Sequence, residues 1–292
     1  MTYAITGVTG KVGAEVAQNL LTVGDSVRAV LRDVRKAGPW IERGCEIAVA
    51  DMTDAAALGA AFTGVDGVFV LLPPNFDPSP GYPELNVILS ALKSALLAAR
   101  PSKVVCLSTV GAQASTENLL STLGIMERTL AELPLPVAFL RPAWFMENSA
   151  WDIAPAMQTG IIPSFLQPLD RPIPMVAVRD IARVGAELLR ETWHGRRVVE
   201  LEGPQRVSPN DIAAAFTALL GKPVSVEAVP RETWLASFSA QGMNNPMPRV
   251  RMLDGFNEGW IDFEAGLAGS RKGATSLESV LEALLARDRP TP

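Results

Sequence analysis

The stretch Tyr3-Ala4-Ile5-Thr6-Gly7-Val8-Thr9-Gly10-Lys11-Val12-Gly13 constrains this chain more than any other. A short apolar run ends in three glycines spaced three apart, and an amphipathic segment follows at once. Val12, Val16, Leu20 and Val23 recur at helical spacing, and Gly24 is placed to stop the helix. Strand, tight glycine turn and helix N-terminus together form a phosphate cradle, because the first-turn N–H groups point outward and the helix dipole favours an anion. The three glycines provide a sharp turn, close backbone approach to a pyrophosphate, and tight packing of helix on strand. The expectation is a bound dinucleotide, held by Gly7, Thr9, Gly10, Lys11, Val12 and Gly13.

Beyond this unit the pattern repeats. Strands are expected at 26–31, 46–50, 67–72, 103–108 and 137–140, and helices at 54–62, 84–100 and 118–132, with Thr53 as N-cap of the first of these helices. A loop rich in proline and glycine runs from Asn75 to Pro83. Such alternation specifies an α/β fold, a Rossmann-type doubly wound parallel sheet with helices on both faces. Its ligand belongs at the carboxyl ends of the strands, which puts Gly7, Arg32, Asp51, Leu72 and Ser108 along one rim. After about residue 145 the alternation loosens. Residues 144–174 are rich in Pro, Phe, Trp and Met and show no clean period. Helices at 178–191, from Ser208 to near Gly221, and at 276–287 follow, with strands at 198–202 and 224–229; Ser208-Pro209-Asn210-Asp211 opens its helix with an N-cap serine, a proline in the first turn and an acid at N3. Residues 1–145 are therefore read as the dinucleotide-binding domain. Residues 146–292 are read as a smaller α/β substrate lobe interleaved with the sheet.

The residue ending the second strand faces the adenosine ribose, where a carboxylate suits a free 2′-hydroxyl and an arginine suits a 2′-phosphate. Here Leu31 is followed by Arg32, with Asp33 next and Arg35-Lys36 beyond. A guanidinium clamps a phosphate dianion with two hydrogen bonds, and Lys11 is placed to reach the same group. NADPH is the expected cofactor and NADH remains possible, Asp33 being the residue that would blur the preference.

Composition closes several alternatives. A net charge of −5, with basic residues spread out, argues against a nucleic-acid partner. No apolar run reaches membrane-span length, and the glycine motif begins too early for a removable presequence, so a cytoplasmic protein, monomer or homodimer, is expected. Two cysteines give neither a disulfide framework nor metal spacing, and Cys106, inside Val104-Val105-Cys106-Leu107, is expected to be a buried thiol. His194 is the single histidine, in a polar stretch that reads as a surface loop, which leaves no histidine-rich metal site.

With these pieces in place the chain resembles the NmrA-like branch of the atypical short-chain dehydrogenases/reductases, which includes quinone, triphenylmethane-dye and azo-dye reductases and catalytically silent redox sensors. The likeness lies in Thr6 to Gly13, Arg32, Asp51-Met52, the stretch Leu140-Arg141-Pro142-Ala143-Trp144-Phe145-Met146-Glu147-Asn148, and Gly255-Phe256-Asn257-Glu258-Gly259-Trp260. It implies that Asp51 and Met52 meet the adenine, that Leu72 and Pro73 flank the nicotinamide, and that 144–148 line the substrate pocket. Ser108 matches the family's serine position, and Glu127 falls where the branch often has an acid, although a helix-surface carboxylate is the expected role here.

One departure carries chemical weight. Ordinary short-chain dehydrogenases protonate their substrate oxygen through a Tyr-x-x-x-Lys pair. This chain has only Tyr3 and Tyr82, and four residues on stand Gly7 and Asn86. Hydride addition to a simple ketone leaves an alkoxide that needs a proton donor. Addition to a quinone, azo compound or cationic dye gives a delocalised anion or a neutral product that solvent protonates later. The missing acid points to a flat, apolar, conjugated small molecule as substrate and leaves the catalytic residues unassigned. Trp144, Phe145, Met146, Trp151 and Phe165, with Phe256 and Trp260, are available for such a pocket, and Trp144 and Phe145 follow the sixth strand at the rim. Asn148 either hydrogen-bonds a substrate carbonyl or ties down its loop. The rival expectation is a non-catalytic NADP(H)-sensing regulatory protein, which the missing pair fits equally well.

Overall fold

The computed structural model describes residues 1–288. Eight strands form the central sheet: β1 (Thr2–Ile5), β2 (Ser26–Leu31), β3 (Glu46–Val49), β4 (Gly67–Val70), β5 (Val104–Leu107), β6 (Val137–Pro142), β10 (Arg196–Glu202) and β12 (Arg271–Lys272). They lie in the order β12-β10-β6-β5-β4-β1-β2-β3, with every neighbouring pair parallel. From β1 the chain winds outward through β2 and β3, then returns to β4 and winds the other way. The order reverses between β1 and β4, and the crevice of a doubly wound sheet opens there.

Side-chain alternation divides the core between the two faces. Tyr3, Ile5, Phe69, Val105 and Leu140 point toward α1 (Lys11–Thr22) and α7 (Val178–Arg190). Ala4, Val68, Val70, Val104 and Phe139 point toward α3 (Ala55–Phe62), α4 (Pro83–Ala99) and α5 (Ser121–Leu130). The short α2 (Gly38–Glu42) links β2 to β3. Both faces are covered, so the central strands are continuously apolar. Cys106 is fully buried on the second face, and burial pushes its thiol pKa up. His194 is exposed in the turn before β10.

The chain after residue 142 does two things. It adds β10 and β12 to the main sheet, and it builds two small parallel pairs, β7 (Trp144–Phe145) on β9 (Met175–Val176) and β11 (Ser225–Ala228) on β8 (Ile161–Ser164). Helices α6 (Ile153–Gln158), α8 (Pro209–Leu220), α9 (Trp234–Ala240), α10 (Met247–Glu258), α11 (Gly266–Gly269) and α12 (Leu277–Asp288) accompany them. The start of α8 follows its sequence signature. Ser208 Oγ accepts from Asp211 N, the Asp211 carboxylate accepts from Ser208 N, and Gly221 closes the helix at φ +65°.

Some expectations need correction. Asp54, not Thr53, caps α3: its carboxylate accepts from Ala56 N and Ala57 N, while Thr53 donates to Asp51. The fourth strand ends at Val70, because Leu71 N donates to the Thr6 hydroxyl rather than continuing the ladder. Helix α5 starts at Ser121, after Asn118 has closed a turn of its own onto Leu120 N. No helix among the described residues is long and apolar enough to cross a membrane.

Candidate cofactor and acceptor site

The glycine turn has the conformation its sequence requires. Gly7 lies at φ +64°, where a β-carbon would be strained and would meet Leu71 Cδ2 at 2.9 Å. Gly10 N donates to Gly7 O at 2.9 Å and closes the turn. A β-carbon on Gly13 would stand 2.3 Å from Gly7 O, so only glycine lets the helix sit this close to the turn. The space beside Gly10 is different: a β-carbon there meets only Gly7 O, at 3.3 Å. Helix α1 begins with no side-chain cap, and Thr9, Gly10 and Lys11 are exposed, while Val12 is buried against the sheet. A close-fitting turn with an uncapped helix end and an open side fits a pyrophosphate.

Thr6 joins this turn to the next strand. Its hydroxyl accepts from Leu71 N at 2.8 Å and donates to Phe69 O at 3.2 Å, holding the ends of β1 and β4 together across the switch point. Leu72, half-buried, and Pro73, exposed, follow directly. At the end of β2, Arg32 is exposed. Asp33 is spent on its neighbour: its carboxylate takes two hydrogen bonds from the Arg35 guanidinium, each 2.8 Å, which hold its pKa below the usual carboxylate range. Asp33 and Arg35 therefore neutralise each other and leave Arg32, with the exposed Lys36, as the open cations of the group. Asp51 and Met52 are half-buried after β3. The Asp51 carboxylate is also held low, by the Thr53 N–H and then its hydroxyl.

Ser108 and Glu127 form an arrangement that helical periodicity does not announce. Glu127 is 8% exposed, not a surface carboxylate. Ser108 Oγ donates to its Oε1 at 2.5 Å, and Arg141 holds both of its oxygens, Nε to Oε1 at 2.9 Å and Nη2 to Oε2 at 2.7 Å. The remaining Arg141 nitrogen donates to Glu264 Oε2 at 2.9 Å and lies 3.6 Å from Glu200, whose carboxylate accepts from Glu264 N and Ala265 N. Burial works against the Arg141 charge, but its bonds to Glu127 and Glu264 outweigh burial and raise its pKa. Ser108, directly after β5, is buried within this network. The sequence does hold one signal of it: an arginine inside the apolar strand Val137–Pro142 must find a buried counter-charge.

Trp144 and Phe145 are half-buried, and Trp144 meets Phe256 of α10 edge to face, with ring centroids 5.1 Å apart. Asn148 is also half-buried. Between them Glu147 turns back, and both of its oxygens accept from Val178 N, at 2.9 and 3.0 Å, pinning the segment to the start of α7. Trp151 does not join the group, since it is 67% exposed, and Phe165 packs on Trp234 and Phe238 instead. The glycine- and proline-rich loop after β4 is tied across to the loop between α9 and α10. Asp77 accepts from Asn244 N at 2.8 Å and Asn245 N at 2.7 Å, and Asn245 Nδ2 donates to Pro78 O at 2.9 Å. This strap, invisible to sequence periodicity, joins segments more than 160 residues apart. Among the described residues no group of three or more His, Cys, Asp or Glu is placed to hold a metal.

A model of the NmrA-like family matches residues 1–262. An NAD(P)H azoreductase from Xenophilus azovorans is 28% identical over 82% of this chain and 81% of its own length. Quinone oxidoreductase 2 of Escherichia coli K12 is 26% identical over 82% of each. An NADPH-dependent quinone oxidoreductase of Escherichia coli, crystallised with NADPH, superposes with a TM-score of 0.82 at 23% identity over 98% of this chain and 100% of that one. The triphenylmethane reductase of Citrobacter sp., solved with NADP(H), gives 0.79 at 20% identity over 97% and 100%. The likeness to these two structures is one of fold.

Proposed function

The chain belongs to the NmrA-like family, and from that premise we propose that it is an NADPH-dependent reductase delivering hydride to a conjugated, electrophilic small molecule such as a quinone, an azo compound or a cationic dye. The cofactor side of the proposal rests on the open glycine cradle together with an arginine at the end of β2 whose acidic neighbour is already engaged. Gly7 to Gly13 hold the pyrophosphate, and Arg32, with Lys11, holds the 2′-phosphate. Asp51 and Met52 meet the adenine, and Leu72 and Pro73 flank the nicotinamide. Relatives named as NAD(P)H azoreductase and quinone oxidoreductase support the same reading.

The observation that carries the choice of acceptor is the placement of the two tyrosines. Tyr3 is buried in β1 and its hydroxyl donates to the Met1 sulfur, at the end of the sheet opposite the cradle. Burial, then the charges of Asp25 and Asp66, push its pKa up to about 12. Tyr82 donates to Glu117 at 2.9 Å, and burial, then that carboxylate, push its pKa up to about 12 as well. Neither is paired with a lysine or tuned as a proton donor. When bound, NADPH supplies the hydride. The chain's own part is to hold a flat acceptor against it, with Trp144 and Phe145 as the apolar surface and Asn148 as a polar contact, while solvent protonates the product.

The test is NADPH oxidation followed by absorbance against quinones, azo dyes, triphenylmethane dyes and simple ketones, with NADH in parallel. Turnover of the conjugated acceptors but not the ketones, with NADPH preferred, is the expected result. NADPH binding with no turnover across the panel would give the protein to the sensing role instead.

A further inference from the structure

Among the described residues, every arginine that the fold draws partly out of water donates to an oxygen, with one exception. Arg28, Arg141, Arg171, Arg183, Arg197 and Arg206 each reach a carboxylate or a main-chain carbonyl. Arg249, near the start of α10, is half-buried and has no oxygen partner among the described residues. Its guanidinium lies 4.3 Å from the Phe238 ring centroid, and Nη1 reaches only the Met243 sulfur, at 3.8 Å. A phenyl face and a thioether do not replace the hydration a cation gives up. Burial accordingly draws the Arg249 pKa below its ordinary value. Its nitrogens are nevertheless not sealed in: the described side-chain atoms that are both buried and unpartnered belong to Asp25, Trp193 and Arg197.

The position of this cation matters as much as its lack of a partner. Phe256 lies seven residues further along α10, two turns on and on the same helix face, and meets Trp144 edge to face. On the other side, Met243 immediately precedes Asn244 and Asn245, the residues that Asp77 clasps. Arg249 thus shares a helix face with Phe256, which meets Trp144, and touches the residue that precedes the clasped asparagines. We propose that Arg249 is the anchor for an anionic substituent on the acceptor, a carboxylate, sulfonate or phosphate, so that the preferred substrates are conjugated anions. The assignment rests on the reductase reading for the word acceptor, and on the geometry alone for the anion. A guanidinium offers such a group a planar fork of donors, and its partial desolvation strengthens the pair that forms. Neutral quinones still fit the aromatic wall but leave the cation uncompensated.

The full chain with NADP+ is titrated by calorimetry with naphthalene-2-sulfonate and with its neutral isostere, naphthalene-2-sulfonamide. The sulfonate should bind the wild-type protein about tenfold or more tightly than the sulfonamide. Arg249→Met should bring the two dissociation constants together, and Arg249→Lys should restore part of the gap. Equal affinities in the wild-type protein, no binding of the sulfonate, or a gap that survives in Arg249→Met would overturn the assignment. The wild-type ratio is decisive even if a variant fails to fold. Turnover of the panel of quinones, azo dyes and triphenylmethane dyes by the wild-type chain is followed separately: its absence throughout the panel would sink the reductase reading while the sulfonate-to-sulfonamide ratio still decides on the anion site.

Discussion

The two sides of the crevice, proposed to hold the cofactor and the acceptor, are built by different means. On the cofactor side, one continuous segment supplies the turn, the helix end and the close packing, and main-chain geometry does most of the work: Gly7 at positive φ, and Gly13 where no β-carbon fits. On the acceptor side, segments far apart in sequence are held by side-chain clasps: Arg141 to Glu127 and Glu264, Glu147 to Val178 N, Asp77 to Asn244 and Asn245. A site made of backbone tolerates change poorly and identifies itself in sequence. A site made of clasped loops changes its pocket without losing the sheet.

Breaking a clasp should cost more stability than blocking the cradle. Arg141→Met leaves Glu127 buried without its counter-charge, and unfolding by denaturant should show a loss of about 3–5 kcal/mol. Gly10→Val should do the opposite. Its β-carbon makes one tight contact, 3.3 Å to Gly7 O, and the rest of the side chain grows outward, so the unfolding curve should move far less than for Arg141→Met while calorimetry finds NADPH binding weakened by about a hundredfold or more, roughly the 2.7 kcal/mol that such a factor represents. Retained binding would remove the turn from the site. Arg32→Ala should weaken NADPH by about tenfold to a hundredfold, the worth of charge-assisted hydrogen bonds, and NADH hardly at all. Equal losses for the two cofactors would take Arg32 out of contact with the 2′-phosphate.

The smallest effect concerns the burial cost of the clasped side. Burial pushes Asp152, at the end of the turn that carries Asn148, up to about 7. A carboxyl whose folded pKa is raised binds its proton more tightly in the native state, so its contribution is complete below the unfolded value near 3.8 and is lost as pH rises toward about 7. Asp152→Asn should therefore raise the melting temperature at pH 8, by about 2 °C for each 1 kcal/mol or less in a chain of this size, and raise it clearly less at pH 5, which lies early in the same window. A larger gain at pH 5 would reverse the assignment.

The same contrast decides what the sequence makes legible. The alternating strands, the glycine turn and the Ser208 capping box are local patterns, and each stands where its spacing puts it. Helix α10 escapes a reading by periodicity because prolines crowd its start and Gly255 sits inside it. That glycine is demanded by Ile261 and Trp260, against which a β-carbon would stand at 2.6 and 2.7 Å. Glu127 reads as a surface residue because its partner is fourteen residues away on a different element, where helical periodicity carries no information. Composition groups Trp151 with Trp144, yet the turn that follows Phe145 carries it out to solvent.

The proposed reaction passes hydride to a conjugated acceptor with no protein acid taking part. Single-turnover stopped-flow reduction of 1,4-naphthoquinone by NADPH, and by NADPH deuterated at the transferred position, in H2O and in D2O from pH 6 to 9, tests it directly. A primary isotope effect on a rate that ignores both pH and solvent deuterium is the predicted result. A rate that falls as pH rises, together with a clear solvent isotope effect, would mean that a side chain donates a proton in the same step and would contradict the claim.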